Sequence, residues 1–283
     1  MDSNDTLGPL LTCEVHAALI AARDAGDRQV HCSVDLQRSS TVVELQPQHW
    51  QWHGTSYPYL PDCRPRTIYY WHLDRFQPVS RFTRSLIKLV PTPWGAPTFE
   101  IDGIKMLPSA QLSPYEDARN KMALIDPGGK RVLDTCGGLG YFADCCLHRA
   151  AAQVTSYEIN PDVIWLRSLN PWSPDRRLTA DSPLTLINAD VTEQIAALPD
   201  GSYDAIAHDP PRFGIAGELY SQQFYQQLAR VIRRRGRLFH YTGTPNKLTS
   251  GRDVPNEVAT RLRRAGFEVE LTGDGVLGRK SGR

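Results

Sequence analysis

Val132-Leu-Asp-Thr-Cys-Gly-Gly-Leu-Gly-Tyr-Phe-Ala143 decides how this chain folds. Apolar residues lead into a tight glycine turn and out of it again, which reads as a strand, a turn and the start of a helix. Such a turn lets backbone approach a ligand closely, and the first N–H groups of the helix have no partners within it. Two ligand classes compete for this arrangement. Gly138-x-Gly140-x-x-Ala143 fits the dinucleotide fingerprint, with Glu158 at the end of the next strand as the acid that binds ribose hydroxyls. Asp134, just before the turn, is badly placed beside a pyrophosphate. An acid there suits the ammonium of an amino-acid moiety, which S-adenosylmethionine carries without any phosphate.

Outward from the loop, short apolar runs alternate with helical patterns from about residue 131 onward, the signature of βαβ units and a parallel sheet. Strands are predicted at Arg131–Asp134, Gln153–Glu158, Leu184–Asn188, Tyr203–His208, Arg237–Thr242, Phe267–Leu271 and Val276–Arg279. Gly273-Asp-Gly275 is a tight-turn signal that joins the last two as a hairpin, so the sheet is expected to end in an antiparallel edge. Helices begin at the capping box Ser113-Pro-Tyr-Glu116, at Asn160-Pro161, and at Leu219, from which apolar residues at helical spacing run to Arg234. Arg233-Arg-Arg235 with Arg237 resembles a nucleic-acid patch, but at the end of that helix these cations would answer the negative end of its dipole.

Upstream the pattern changes. A helix-like Val15–Ala25 precedes alternating β-type segments, Val30–Leu36 and Thr41–Leu45, and then the aromatic stretches Trp50-Gln-Trp52 and Tyr69-Tyr-Trp71. Prolines at 91, 93 and 97 mark a junction. We read residues 1–110 as a small α+β domain and 111–283 as the ligand-binding domain. The front aromatics can stack on a planar substrate, although their spacing suits a hydrophobic core better.

Tyr203-Asp-Ala-Ile-Ala-His-Asp-Pro-Pro-Arg-Phe-Gly214 carries the chemistry. A hydrophobic strand delivers an acid and two prolines to one edge. Asp209 and the carbonyl of Pro210 can both accept from a substrate N–H, while each proline fixes φ at about −65° and removes a competing backbone donor. Ile187-Asn-Ala-Asp190-Val places a further acid after the third strand, where an adenine amino group needs an acceptor; the alternative is a plain helix cap.

Taken together, Asp134-Thr-Cys-Gly-Gly-Leu-Gly140, Glu158, Asp190 and Asp209-Pro-Pro-Arg212 resemble the class I S-adenosylmethionine-dependent methyltransferases over residues 113–279. More narrowly, Glu100-Ile-Asp-Gly-Ile-Lys-Met106, Leu169-Asn-Pro-Trp-Ser173, His208-Asp-Pro-Pro-Arg-Phe213, Ala216-Gly-Glu-Leu-Tyr-Ser221 and Phe239-His-Tyr-Thr-Gly243 are similar to an uncharacterised family of archaeal methyltransferases. The resemblance implies an α/β, Rossmann-like sheet of seven mostly parallel strands with an antiparallel last strand. It also implies S-adenosyl-L-methionine as cofactor. By it, Asp134, Thr135, Cys136, Gly137, Gly138, Gly140 and Tyr141 would cradle the methionine part, Glu158 with Ile159 the ribose, and Asp190 with Val191 the adenine. Asp209, Pro210 and Arg212 form the catalytic edge. His208, His240 and Tyr241 stand near it as proton acceptors or as wall, and Glu218 and Tyr220 as substrate contacts or helix-start residues.

The Asp-Pro-Pro-Arg motif also resembles that of RNA uracil-C5 methyltransferases, which attack the base through a cysteine in a Ser-Cys-Asn-Pro turn. The corresponding stretch here is Thr242-Gly-Thr-Pro245, with Gly243 in the nucleophile's place, so the thiolate that activates C5 is missing. Nitrogen is therefore the favoured acceptor, on a small molecule or an amino-acid side chain. Aminopropyl transfer to a polyamine is disfavoured because no acid cluster is evident around Asp209. Nucleic acid is a less favoured partner: residues 1–128 hold 12 Lys and Arg against 14 Asp and Glu, a net −2, where phosphate binding asks for a basic excess. Six scattered cysteines contain no C-x-x-C pair and imply neither a metal site nor a disulfide framework. No apolar run reaches membrane-spanning length, and the acidic Met1–Thr6 lacks a signal-peptide pattern, so a cytoplasmic location without membrane association is expected.

Overall fold

A computed structural model describes residues 8–177, 179, 181–243 and 253–282. Met1–Thr6, Thr244 and Pro245, each considered above, lie outside them. The chain divides into two compact units, Met1–Tyr115 with Trp165–Trp172, and Glu116–Ile164 with Ser173–Arg283.

The first unit is built from short antiparallel strands and one helix, Cys13–Asp24, whose N-terminus is capped by the Thr12 hydroxyl. Its core is aromatic. Trp50 is wholly buried, 4.9 Å from the Tyr57 ring and stacked at 6.3 Å on Phe76, with Leu11, Leu19, Val43 and Tyr69 around them. Of the aromatics read from the sequence, Trp50 and Tyr69 are core, Trp52 and Trp71 pack against it partly buried, and Tyr70 lies edge-on to the Trp165 ring instead. Arg81 lies over the Trp165 ring at 4.4 Å, and the Trp172 indole N–H donates to the Leu36 carbonyl at 2.9 Å. All six cysteines are free thiols. Cys13 Sγ lies 2.7 Å from Cys63 Sγ, and burial, reinforced by Cys13, pushes the Cys63 thiol up to about 12.

In the second unit a seven-stranded sheet holds β1 (Arg131–Asp134), β2 (Gln153–Tyr157), β3 (Leu184–Ile187), β4 (Tyr203–His208), β5 (Ile232–Tyr241), β6 (Phe267–Thr272) and β7 (Gly275–Lys280). Their spatial order is 3-2-1-4-5-7-6. β1 to β5 pair in parallel, and β7 pairs antiparallel with both β5 and β6. The expected Rossmann-like sheet is thus present. Its antiparallel strand sits one place in from the edge, inserted between β5 and β6. Central strands covered on both faces need continuous apolar runs, and all six residues of β4 are buried.

Helices α1 (Pro114–Ile125), α2 (Tyr141–His148), α3 (Pro161–Leu169), α4 (Gln222–Val231) and α5 (Val254–Arg264) alternate with the strands along the chain. The Ser221 hydroxyl caps α4 by accepting from Phe224 N, and Asp253 caps α5. Phe224, Tyr225 and Leu228 of α4 join Val258 and Leu262 of α5 in one core with Leu133, Ile206 and Leu238 from the strands. No helix among the described residues is long and apolar enough to cross a membrane.

One expectation fails in its detail. The helix read to Arg234 ends at Val231, and Ile232 to Tyr241 is strand, so Arg233, Arg234 and Arg235 do not close a helix. Ile232 is pulled into register against Tyr203 of β4, and the register then shifts before Arg237 meets Ala205. The dipole explanation of these arginines therefore lapses.

Leu133→Ala, a truncation at a fully buried position of β1, is expected to cost about 2–5 kcal/mol in urea unfolding with an unchanged m-value.

Candidate functional site

Parallel register fixes the site. Asp134 is the partner of Ala207 across β1 and β4, so Asp209, two residues on, emerges at the same sheet edge as the glycine loop. The loop turns because Gly138 and Gly140 take φ of 49° and 79°, a region open to glycine at little cost. Gly140 is the N-cap of α2, and Tyr141, its first residue, is buried. Gly137 N donates to the Tyr157 carbonyl at 2.7 Å, which ties the loop to β2.

Two acids brace the turn. Asp134 is buried and accepts from the Ser156 hydroxyl at 2.8 Å. Glu158 Oε2 accepts from Gly138 N and its Oε1 from Asn160 N, both at 2.8 Å. Carboxylate oxygens have two lone pairs each, so Glu158 keeps acceptor capacity for hydroxyls while holding the loop. Ile159 beside it is 62% exposed. Asp190 caps the short helix Val191–Gln194, its Oδ1 accepting from Thr192 N at 2.8 Å and from the Thr192 hydroxyl at 2.7 Å. The cap alternative is thus realised, and Oδ2 has no partner among the described residues. The Val191 side chain packs in the core. Burial pushes the Cys136 thiol well above its ordinary range, so it is a neutral wall at neutral pH.

Of the two roles expected for His208, His240 and Tyr241, proton acceptor or wall, the histidines have the surroundings of a wall. His208 is 0% exposed, and its Nε2 and Nδ1 are engaged by the Leu219 carbonyl at 3.1 Å and the Thr135 hydroxyl at 2.7 Å. Burial lowers its pKa to about 4, so the ring is a neutral strut inside the core. His240 is equally buried. Its Nδ1 donates to the Tyr241 carbonyl at 2.8 Å, which leaves Nε2 to accept from the Tyr225 hydroxyl at 2.8 Å. Tyr220 is a strut too, donating to the Pro211 carbonyl at 3.0 Å, whereas Glu218 is exposed. Arg212 is half-buried, and its carbonyl starts the turn to Ala216 by accepting from Ile215 N and Ala216 N. Pro210 is buried, and no donor among the described residues takes its carbonyl.

What surrounds Asp209 was not evident from the sequence. Lys121 of α1 is 4% exposed, with its ammonium 2.6 Å from Asp117 Oδ2, 3.3 Å from Asp274 Oδ2 and 3.9 Å from the centre of the Tyr241 ring. Asp209 acts on the same ammonium. Burial alone would lower the Lys121 pKa, but Asp209, Asp117 and Asp274 together hold it above its ordinary value. For Asp209 the largest influence is also burial; Lys121 opposes it, Asp117, Asp274 and Asp134 add to it, and the carboxyl settles at about 7. An acid cluster therefore does exist here, contrary to expectation, with the chain's own cation at its centre. Tyr241 is held at about 12, mainly by burial, so it donates but does not serve as a base near neutrality.

Beyond Tyr241 the chain turns at Gly243, whose φ is 58° and whose N donates to the Asp274 carbonyl at 2.8 Å. A Cβ there would stand 2.7 Å from the Tyr241 ring. A cysteine at this position would take a strained left-handed backbone and would have to displace that ring.

No family model matches the chain. Over 181 residues it is 42% identical to an uncharacterised protein of Methanocaldococcus jannaschii, a match covering 64% of this chain and 61% of that one. It is 28% identical over 148 residues to polyamine aminopropyltransferase 2 of Streptomyces coelicolor, covering 50% of this chain and 26% of that protein. The chain thus spans less than two thirds of the length of either relative. A spermidine synthase crystallised with the transition-state analogue AdoDATO superposes with a TM-score of 0.56 at 19% identity, over 72% of this chain and 73% of that one, a likeness of fold.

The Asp209 carboxyl gives a stability prediction with a definite sign. Its folded pKa, about 7, lies above the unfolded value of 3.8, so folding binds a proton between those limits and stability falls as pH rises through them. Asp209→Asn removes that loss. Its melting temperature relative to wild type is expected to be higher at pH 8 than at pH 5, by on the order of 2–4 °C, read by calorimetry at both pH values.

Proposed function

We propose that this chain is an S-adenosylmethionine-dependent methyltransferase acting on a nitrogen of a small-molecule or amino-acid-type acceptor. The observation that carries this reading is the end of β4, where Asp209 and the undonated Pro210 carbonyl emerge beside the glycine loop. The left-handed Gly138 and Gly140 give a ligand backbone-close access, and Asp134, Glu158 and Asp190 Oδ2 are the acceptors that an ammonium, ribose hydroxyls and an adenine amino group require. When bound, the cofactor supplies an electrophilic methyl on a sulfonium. The protein's task is then orientation and charge stabilisation. Asp209 and Pro210 would accept N–H bonds from the acceptor and aim its lone pair. With a pKa of about 7, Asp209 can also take up a proton as the nitrogen gains charge.

Lys121 governs this step from behind. By opposing the burial of Asp209 it sustains the carboxylate, and its contact with the Tyr241 ring fixes the wall beside it. It is a positioning residue in this reading.

Aminopropyl transfer to a polyamine is the second reading. The carboxylates Asp117, Asp134 and Asp274 around Asp209 favour it, as does similarity to a protein named for that activity. Methyl transfer ranks first because Lys121 already fills the cluster with an ammonium, which leaves less negative charge for a polycation to meet.

Asp209→Ala is expected to lower turnover by on the order of a hundredfold or more while leaving the affinity for S-adenosylhomocysteine, measured by calorimetry, nearly unchanged; equal loss of both would mean that Asp209 binds the cofactor instead. The same calorimeter run with NAD should show no binding, and tight binding of NAD alone would overturn the cofactor assignment. Mass spectrometry of amine acceptors incubated with S-adenosylmethionine or its decarboxylated form separates methyl from aminopropyl products. Lys121→Met should move the acidic limb of the rate profile to higher pH, since Asp209 loses the charge that holds its pKa down.

A further inference from the structure

At the start of β5, Arg233, Arg235 and Arg237 line a cavity of about 290 Å³ together with Lys130, Arg279 and Asp204. It lies at the opposite ends of the strands from Asp134 and Asp209: Lys130 precedes β1, Asp204 is near the start of β4, and Arg279 is near the end of the antiparallel β7. The sequence explanation of these arginines, a helix end, does not apply to a strand.

Charge accounting in this cavity does not close. Lys130 is paired with Asp126 at 3.1 Å, and Arg233 with Asp204 at 2.8 Å. Asp204 is already committed to the sheet, since its Oδ2 accepts from Arg131 N at 2.7 Å. Arg237 also favours the charged form of Asp126, whose carboxyl Lys130 holds. Arg235, Arg237 and Arg279 have no ion pair among the described residues. Arg237 and Arg279 are direct cross-strand partners in the β5–β7 ladder, where like charges repel; Glu268 of β6 faces Arg279 from the other side, so five cations at this end of the sheet meet three carboxylates, Asp126, Asp204 and Glu268. Arg235 takes φ of 64°, a left-handed conformation unfavourable for its side chain, next to Gly236, where a Cβ would meet the Asp204 carbonyl at 2.9 Å. Backbone strain and like-charge pairing both act against the fold, and both place guanidinium groups around one concavity. An anion with several oxygens would offset the repulsion, and guanidinium forks match phosphate geometry.

We propose that this cavity is a phosphate-binding site, taking the phosphoryl groups of a small phosphorylated ligand or of an RNA strand. It is distinct from the Asp209 edge and independent of the methyl-transfer reading.

The test titrates the full chain with sodium pyrophosphate and, separately, with a short single-stranded RNA, at matched ionic strength. The wild type is compared with the double variant Arg235→Gly, Arg279→Gln. Glycine suits the left-handed position 235, and glutamine at 279 gives up the attraction of Glu268 along with the repulsion of Arg237, so the variant should melt close to wild type in low salt without ligand. We expect at least one probe to bind the wild type and to lose on the order of tenfold or more in affinity in the variant. Pyrophosphate binding identifies a small phosphorylated ligand as the source. RNA binding alone identifies a strand, and its salt slope should then be smaller in the variant by about 0.7 for each phosphate that the arginines no longer neutralise. If neither probe binds the wild type, or if a stably folded variant binds both equally well, the proposal is overturned.

Discussion

A lysine ammonium enclosed by carboxylates holds the working edge of this protein together. Lys121 comes from α1, Asp117 from the turn of α1 before it, Asp274 from the β6–β7 hairpin, Asp209 from the end of β4, and the ring beneath the ammonium from the end of β5. Four elements are thus coupled through one charge. Removing a partner from such a buried group strands the others, which makes the arrangement costly to break even if the net worth of the whole is modest. Its consequence for chemistry is more direct. An acid emerging from a strand buried on both faces would remain protonated at neutral pH, and this lysine draws Asp209 back to the pH range in which a proton can be either held or released.

The same edge divides labour between rigid and reactive groups. His208 and His240, neutral and enclosed, hold the ends of β4 and β5 through Thr135, Leu219 and Tyr225. Their buried ring nitrogens are satisfied within the protein, as desolvation requires. Rigidity beneath the edge lets the Asp-Pro-Pro segment project without freedom to rotate. Proline contributes twice there, by restricting φ and by leaving the Pro210 carbonyl uncontested by a neighbouring backbone donor.

Much of this was legible in the sequence because it is local. The strand, glycine turn and helix start of residues 132–143 form one contiguous signal, and so does the acid–proline end of β4. The hairpin turn at Gly273-Asp-Gly275 was equally clear. Contacts assembled by tertiary folding were not. Asp117 reads as an acidic first-turn residue, Lys121 as its partner one turn on, and Asp274 as a turn residue, and nothing local announces that the three meet Asp209. For His208 both acceptor and wall stayed open for a related reason: a strand-end position is compatible with access, and only the folded structure shows β4 buried up to that residue. The arginine run misled because Val231 and Ile232 fit either a helical stripe or a strand. Burial of Ile232 against Tyr203 decided for the strand.

Gly243 bears on how this protein can change. Its left-handed backbone disfavours any other residue at position 243, and the Tyr241 ring, 2.7 Å from an added Cβ, would have to give way. A single substitution to cysteine would meet both obstacles and disturb the ring that packs on Lys121. The ring would be pushed from its place over the Lys121 ammonium, 3.9 Å from its centre. A thiol at position 243 would thus be felt at the buried ammonium on the other side of the ring, which ties the chemistry open to this turn to the packing of α1.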